Sequence, residues 1–339
     1  MRVGPDSEHH GFYLKIRKGI IIIMNLLTTI KGSNMENYFP KGWDLKKIDD
    51  CCSHKPEEIF DRQAFWNKDF MPIMCNDNFD FSVKMGHEIA MAIKKAKDRG
   101  EKLALILPVG PMGMYEWVVF FLKEWNVDAK HCYTFNMDEW SDINGDTLEP
   151  TNKGSFQYAM EQALYNPLGE LTVPVAQRNF ATKENLPKYA EKIAALKAEG
   201  AKLITVFGIG RCFHIAFWEP QYGGEYDTVE EWKAATHRIG ANLNPMTIEQ
   251  NALHSFKTRT TLVPAFANTV GPGLFLQSDW IIGGCDGAYE RGMMWSGMSL
   301  WVALRYSPDP WVPASFMPTL PGRLYFFKAL AGPLEPECN

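Results

Sequence analysis

The sequence predicts a doubly wound α/β fold with a mostly parallel sheet. Short, almost wholly apolar runs alternate with longer segments whose apolar residues recur at helical spacing, and the runs end in glycines or polar clusters. Strands apolar on both faces need cover on both faces, which parallel strands linked by helical crossovers provide. At 339 residues and 46% hydrophobic, the chain can build a large core within one elaborated domain.

Residues 1–34 are expected to be an extension, and 35–339 a single α/β domain with N- and C-terminal elaborations. Gly19 to Ile30, GIIIIMNLLTTI, follows the basic Lys15-Ile16-Arg17-Lys18 and has the outline of a signal peptide. The run is too short to span a bilayer, begins far from Met1 and precedes no small-x-small cleavage site. Met24 and Met35 are alternative starts; a lipid-facing or secretory role is the competing reading.

From Glu36 to Phe70 the sequence is rich in Trp, Pro, Cys and charge without clean periodicity, which reads as loops and short helices and no strand. Phe81 to Gly100 spaces its apolar residues by three and four and closes on basic residues and glycine, as an amphipathic helix does. Lys102 to Pro108, KLALILP, is a buried strand closed by Gly110, and MYEWVVFFLKEW after it has helical length. Ala129 to Glu139 reads as a second strand, Tyr189 to Glu199 as a helix, and Lys202 to Gly210 as a third strand. Later strands are expected at Thr260–Phe266, Asp279–Gly284 and Val312–Met317, giving a Rossmann-like three-layer sandwich with helices on both faces. The Met- and Trp-rich stretch Met293–Trp301 reads as core or interface.

Composition narrows the function. The net charge is -5 and Lys and Arg are scattered, which argues against a nucleic-acid partner. Seven cysteines include one close pair, Cys51-Cys52, and none has metal-ligand spacing, so a reducing cytoplasm fits and no structural zinc is expected.

Open α/β sheets bind ligands outside the carboxyl ends of their strands, which directs attention to Pro108–Gly113, Asn136–Glu139 and Gly208–Glu219. Gly110-Pro111-Met112-Gly113 before a helix suits an anion cradle. Asp138 and Glu139 are adjacent at a strand end, so in extended geometry only one faces a common site. A carboxylate among Phe135, Met137 and Trp140 would be partly desolvated and more basic, though an ordinary acidic loop fits as well. Gly208 and Gly210 permit close backbone approach, and His214 with Glu219 supplies a pair able to exchange protons, against the alternative of a structural histidine. Cys212 has the outline of a nucleophile, but a buried, inert thiol is the commoner outcome.

Taken together, TFNMDEW (Thr134–Trp140) resembles the TFNMDEY motif of the glucosamine-6-phosphate deaminase/isomerase family, and GIGRCFHIAFWEP (Gly208–Pro220) is similar to its GxGxDGHIAFNEP. A leucine-rich strand end precedes the first motif and Thr269-Val270-Gly271 follows the second; the likeness covers about Leu103 to Gly287. It implies that Asp138 moves a proton between C2 and C1 of an open-chain amino sugar, that His214 opens the pyranose ring, and that Glu219 orients and charges the imidazole. Gly110, Gly113, Glu139, Gly208, Gly210, Arg211 and Cys212 fall at substrate-binding positions. The chemistry needs no metal or redox cofactor. The resemblance further implies a cytoplasmic enzyme, a small sugar or sugar-phosphate ligand, no membrane partner, and a homo-oligomer.

The departures are specific. Cys212-Phe213 replaces the family's aspartate and glycine before the histidine. The loop Val109–Gly113 is shorter than the family's glycine-glycine-threonine phosphate grip, lacks its hydroxyl, and loses one N–H donor to Pro111. The family's phosphate lysine aligns near Gly287, and its phosphate arginine has no counterpart around Asn242–Leu253. Either Arg211 or another basic residue restores those contacts, or the substrate has no phosphate there. An amino-sugar deaminase or isomerase is the expected function; a non-catalytic sugar-binding paralogue and an isomerase of an unphosphorylated sugar are the alternatives. A sugar lactonase, with His214 activating water, fits less well because the TFNMDE motif is intact.

Overall fold

Apolar side chains on every residue of Leu103–Leu107 commit that strand to the interior, and it is buried throughout. The structure, a computed structural model, describes residues 26–287 and 294–332; Met24 and much of the signal-like run lie outside them. Contacts divide the chain into two units, 1–39 and 40–339. The described part of the first holds two short 3-10 helices, Leu26–Thr29 and Asn34–Asn37.

In the second unit the strands are β1 (Phe70–Cys75), β2 (Leu103–Leu107), β3 (Cys132–Asn136), β4 (Asp138–Ser141), β5 (Arg178–Asn179), β6 (Lys202–Gly208), β7 (His237–Asn242), β8 (Phe266–Val270), β9 (Trp280–Cys285) and β10 (Gly322–Phe327). The helices are α1 (Leu45–Cys52), α2 (Asn78–Asp98), α3 (Gly113–Glu124), α4 (Phe156–Met160), α5 (Asn166–Leu168), α6 (Tyr189–Ala198), α7 (Val229–Ala234), α8 (Pro245–Ser255), α9 (Pro272–Phe275) and α10 (Gly297–Arg305). No helix among the described residues is long and apolar enough to cross a membrane.

Seven strands form one sheet in the order β1-β10-β9-β6-β2-β3-β5, and every neighbouring pair is parallel. The chain runs outward from β2 through β3 to β5, then returns to the other side of β2 for β6, β9 and β10. The strand order therefore reverses between β2 and β6, and a crevice opens at such a switch point. A second sheet, β4-β8-β7, is antiparallel. Its core joins Trp140, Phe217, Leu243, Val263 and Ala267, with Phe156 and Phe256 packed on the rim.

Local chemistry explains the elements near the crevice. The α2 helix starts where the Asp77 carboxylate accepts the Asp80 N–H at 2.8 Å, buries Phe81, Met85, Ile89 and Ile93 along one face, and carries Lys95 and Lys97 in its last turn. At the end of β2 the buried Tyr115 hydroxyl donates to Pro108 O at 2.7 Å, fixing the turn into α3.

Several expectations need correction. The run Ala129–Glu139 is two strands in two sheets, because the chain leaves the parallel ladder at Met137. The strand expected at Thr260–Phe266 is a 3-10 turn, Thr260–Leu262, and β8 starts only at Phe266. Val312–Met317 lies mostly in a 3-10 helix, Pro313–Thr319, where two prolines remove the donors a ladder needs. Met293 lies outside the described residues; from Gly297 the Met- and Trp-rich stretch forms the buried helix α10.

Candidate active site

A cleft of about 510 Å³ opens at the switch point, between the ends of β2 and β6 and the small sheet. Pro108 to Met112 and Gly208 to Gly210 line it from the large sheet, and Asp138 and Trp140 from the small one. His214, Phe217, His254 and Asp286 complete much of the wall.

Met137 joins the two sheets. Its N–H donates to Leu107 O at 3.0 Å in the large sheet, and its carbonyl accepts from Val270 N–H at 2.8 Å in the small one. Asp138, the next residue, pairs with Thr269 and presents its side chain to the cleft. Only 6% of Asp138 is exposed, and burial, reinforced by the neighbouring Glu139 charge, holds its carboxyl well above the ordinary aspartate range. Such a carboxylate is a stronger base than one in water.

Glu139 does not line the cleft, as the alternation of side chains along a strand requires. Its carboxylate accepts from the N–H groups of Trp140, Phe156 and Gln157, each at 2.9 Å, and from the Ser155 hydroxyl at 3.0 Å. Burial raises the Glu139 carboxyl while these donors pull it back. Its position at the start of α4 is where a helix accommodates negative charge. The residue expected to bind substrate is the anchor of a helix.

The third strand end is a closed turn. Phe213 N–H donates to Gly210 O at 2.9 Å, and Gly210 N–H to His214 O at 3.2 Å. The imidazole lies against the Gly210 backbone so closely that a Cβ there would sit 1.8 Å from Nε2. Gly208 is close to the β2 loop for the same reason: a Cβ would meet Gly110 O at 2.9 Å. Both sequence glycines therefore shape the cleft by what they lack.

His214 Nδ1 is 3.2 Å from Glu219 Oε2 and 3.2 Å from Thr247 Oγ1. A carboxylate only accepts, so Nδ1 carries the proton in that pair and Nε2 is left as the acceptor in the neutral ring. Glu219 is fully buried, and its other oxygen accepts Asn244 N–H at 3.2 Å. An unshielded carboxylate there would be costly, which makes the imidazole its natural counter-charge.

The remaining expected residues divide. Gly110 lines the cleft; Gly113 begins α3 outside the lining. Arg211 also lies off the lining, and its N–H is tied to Gln250 Oε1 at 2.6 Å. Cys212 is fully buried behind the histidine, where Thr247 Oγ1 donates to its sulfur at 3.5 Å and burial pushes the thiol far above its ordinary value. That environment suits a packing thiol and not a nucleophile. Phe213 adopts φ +63°, the left-handed region that favours glycine, and its buried ring packs on Trp43 at 4.6 Å.

Sequence reasoning missed Asp286, Lys153 and the His254–Trp295 stack, whose rings are 5.7 Å apart; all four residues line the cleft. Asp286 lies two residues past the expected Asp279–Gly284 strand and directly after β9, so the strand-end rule could have found it. Burial pushes its carboxyl up to about 6. Among the described residues, no three His, Cys, Asp or Glu side chains gather as a metal site.

Fold and cleft together define an α/β protein with a carboxylate and a carboxylate-paired imidazole at its switch point. No protein-family model matches the chain. A glucosamine-6-phosphate deaminase from Caenorhabditis elegans is 32% identical over 205 residues, 59% of this chain and 70% of that protein. One from Clostridium botulinum (strain Hall) is 30% identical over 217 residues, 62% and 80% of the two chains. A solved monomeric glucosamine-6-phosphate deaminase superposes with TM-score 0.60 at 19% identity, covering 76% of this chain and 98% of the other. The 6-phosphogluconolactonase of Thermotoga maritima gives 0.51 at 14% identity, with 76% and 99% coverage, a likeness of fold. The chain belongs to the glucosamine-6-phosphate deaminase family.

Proposed function

We propose that the protein is an amino-sugar deaminase that works through an aldose–ketose proton shift. The observation that carries this reading is the presence, in one cleft, of the buried Asp138 carboxylate and the Glu219-paired His214. The relatives' activity supports it.

His214 takes the proton of the anomeric hydroxyl at Nε2 and returns a proton to the ring oxygen as the pyranose opens. Glu219 stabilises the imidazolium formed in between. Asp138 then removes the C2 proton and delivers it to C1; the C2–H bond breaks and a C1–H bond forms. The electron pair passes through an enolamine as the C2 ammonium yields a proton to the C1 oxygen, so C1 becomes a hydroxymethyl carbon and an iminium is left at C2. Water adds to that carbon and ammonia departs, which leaves the ketose carbonyl. The family aspartate before the histidine is Cys212 here, so Glu219 and Thr247 are the groups in contact with Nδ1.

The test is Asp138→Asn. Ammonia and ketose release should fall by about 10²–10⁴-fold, the span general-base groups supply, while sugar affinity stays within a few-fold. Undiminished turnover would remove Asp138 from the mechanism. A protein that binds the sugar but never releases either product would instead be a binding paralogue.

A further inference from the structure

The mechanism above leaves one acidic group in the cleft without a task. Asp286 follows β9, whose Gly284 pairs with Gly208 of β6. A Cβ on Gly284 would lie 2.8 Å from Pro111, so this strand end abuts the loop before α3. Asp286 therefore enters the cleft at its α3 end, whose amino-terminal turn has no capping side chain. That positive helix end favours an anion, and here the protein itself brings a carboxylate to the same end of the cleft.

The neighbouring position is closed. A Cβ on Gly287, where the resemblance puts a phosphate-binding lysine, would lie 2.4 Å from Ser296 Oγ and 2.6 Å from the Trp295 ring. Gly287 N–H also donates to Ser296 Oγ at 3.1 Å, which fixes the turn that carries Asp286. A longer side chain cannot enter without displacing that wall. Among the described lining residues the one lysine or arginine is Lys153, and it is exposed, where its charge is screened. The carboxylates among the described lining residues are Asp138 and Asp286. A dianion brought into that interior meets like charge in a medium that screens poorly, whereas a hydroxyl meets an acceptor.

We propose that Asp286 is a specificity-determining residue: it accepts a hydrogen bond from the terminal hydroxyl of an unphosphorylated amino sugar and disfavours the 6-phosphate. The proposal rests on the amino-sugar reading above and names the class of sugar.

The experiment compares glucosamine with glucosamine 6-phosphate on the full chain, wild type and Asp286→Asn, at pH 8, by product release and by calorimetric binding. Wild type should favour glucosamine at least tenfold in kcat/KM, and Asp286→Asn should shrink that preference at least tenfold. A wild-type preference for the phosphate, or a ratio untouched by Asp286→Asn, overturns the proposal while leaving the deaminase reading intact. Should neither sugar turn over, the deaminase reading fails separately, and the two dissociation constants decide the proposal by the same ratios. Absence of binding by both sugars also overturns it. If the variant does not fold, the wild-type ratio alone decides.

Discussion

Gly210 and His214 occupy one another's space: the imidazole Nε2 fills the volume that any side chain at position 210 would take. The proton-accepting nitrogen is thus held by backbone, while Nδ1 on the far side of the ring is held by Glu219 and Thr247. Gly210→Ala should push the ring out of register and reduce kcat about 10²-fold, the scale of a displacement near 1 Å in a catalytic group. Steady-state kinetics with a melting curve checks this. A fully active, stable variant would mean the ring is free to sit elsewhere.

The Asp138–Glu139 pair predicts a pH effect. Glu139 charge raises the Asp138 carboxyl, so Glu139→Gln should shift the acid limb of the kcat/KM profile to lower pH. The same change replaces an acceptor of four hydrogen bonds by an amide that presents donors on one side. Losing two charge-assisted bonds should cost about 3 kcal/mol or more in denaturant unfolding. A limb that stays in place would show that burial alone sets the Asp138 basicity.

Phe213 sets two effects against each other. Its left-handed backbone costs roughly 1–3 kcal/mol, which glycine would relieve. Removing a buried phenyl ring costs about 3–5 kcal/mol. Burial wins, so Phe213→Gly should be destabilised by about 2 kcal/mol despite restoring the family's residue. An unchanged or raised unfolding midpoint would show that the Trp43–Phe213 contact contributes little.

Asp286 should make stability fall as pH rises. Its carboxyl titrates near 6 in the folded protein and near 4 when unfolded, so the folded state holds the extra proton between those values. Stability is therefore highest below about pH 4 with respect to this group and declines until about pH 6. Asp286→Asn should melt above wild type at pH 7–8, with the difference shrinking toward pH 4. A gap that is constant with pH would contradict the assignment.

The interior of the large sheet was legible because β2, β6 and β9 are covered on both faces, so they stand out as continuous apolar runs. β1 was hidden by Pro72 and by alternating burial at the sheet edge, and β10 by the proline-rich segment before it. β8 was displaced because its buried Asn268 and Thr269 look like loop residues. Only tertiary partners satisfy them: the Asn268 amide donates to Gly145 O and Ala181 O, and Thr269 Oγ1 accepts Phe217 N–H. In the site, the strand-end motifs led to Asp138, His214 and Glu219, which the fold does bring to one cleft and its immediate backing. The motifs could not tell that Glu139 turns away to anchor α4, nor that Arg211 and Cys212 lie off the lining. Those facts depend on segments distant in sequence.

Met137 carries a consequence for how the protein is made. The backbone at Asp138 is set by β8, a strand synthesised long after the TFNMDE motif, and the histidine turn is tied to that same strand through Phe217 and Thr269. A nascent chain that has emerged only as far as residue 260 holds both motifs and lacks the partner that aligns them. Such long-range pairing is slow and comes late. The site therefore waits for β8, and a ribosome-bound fragment ending before Phe266 carries both motifs without the strand that aligns them.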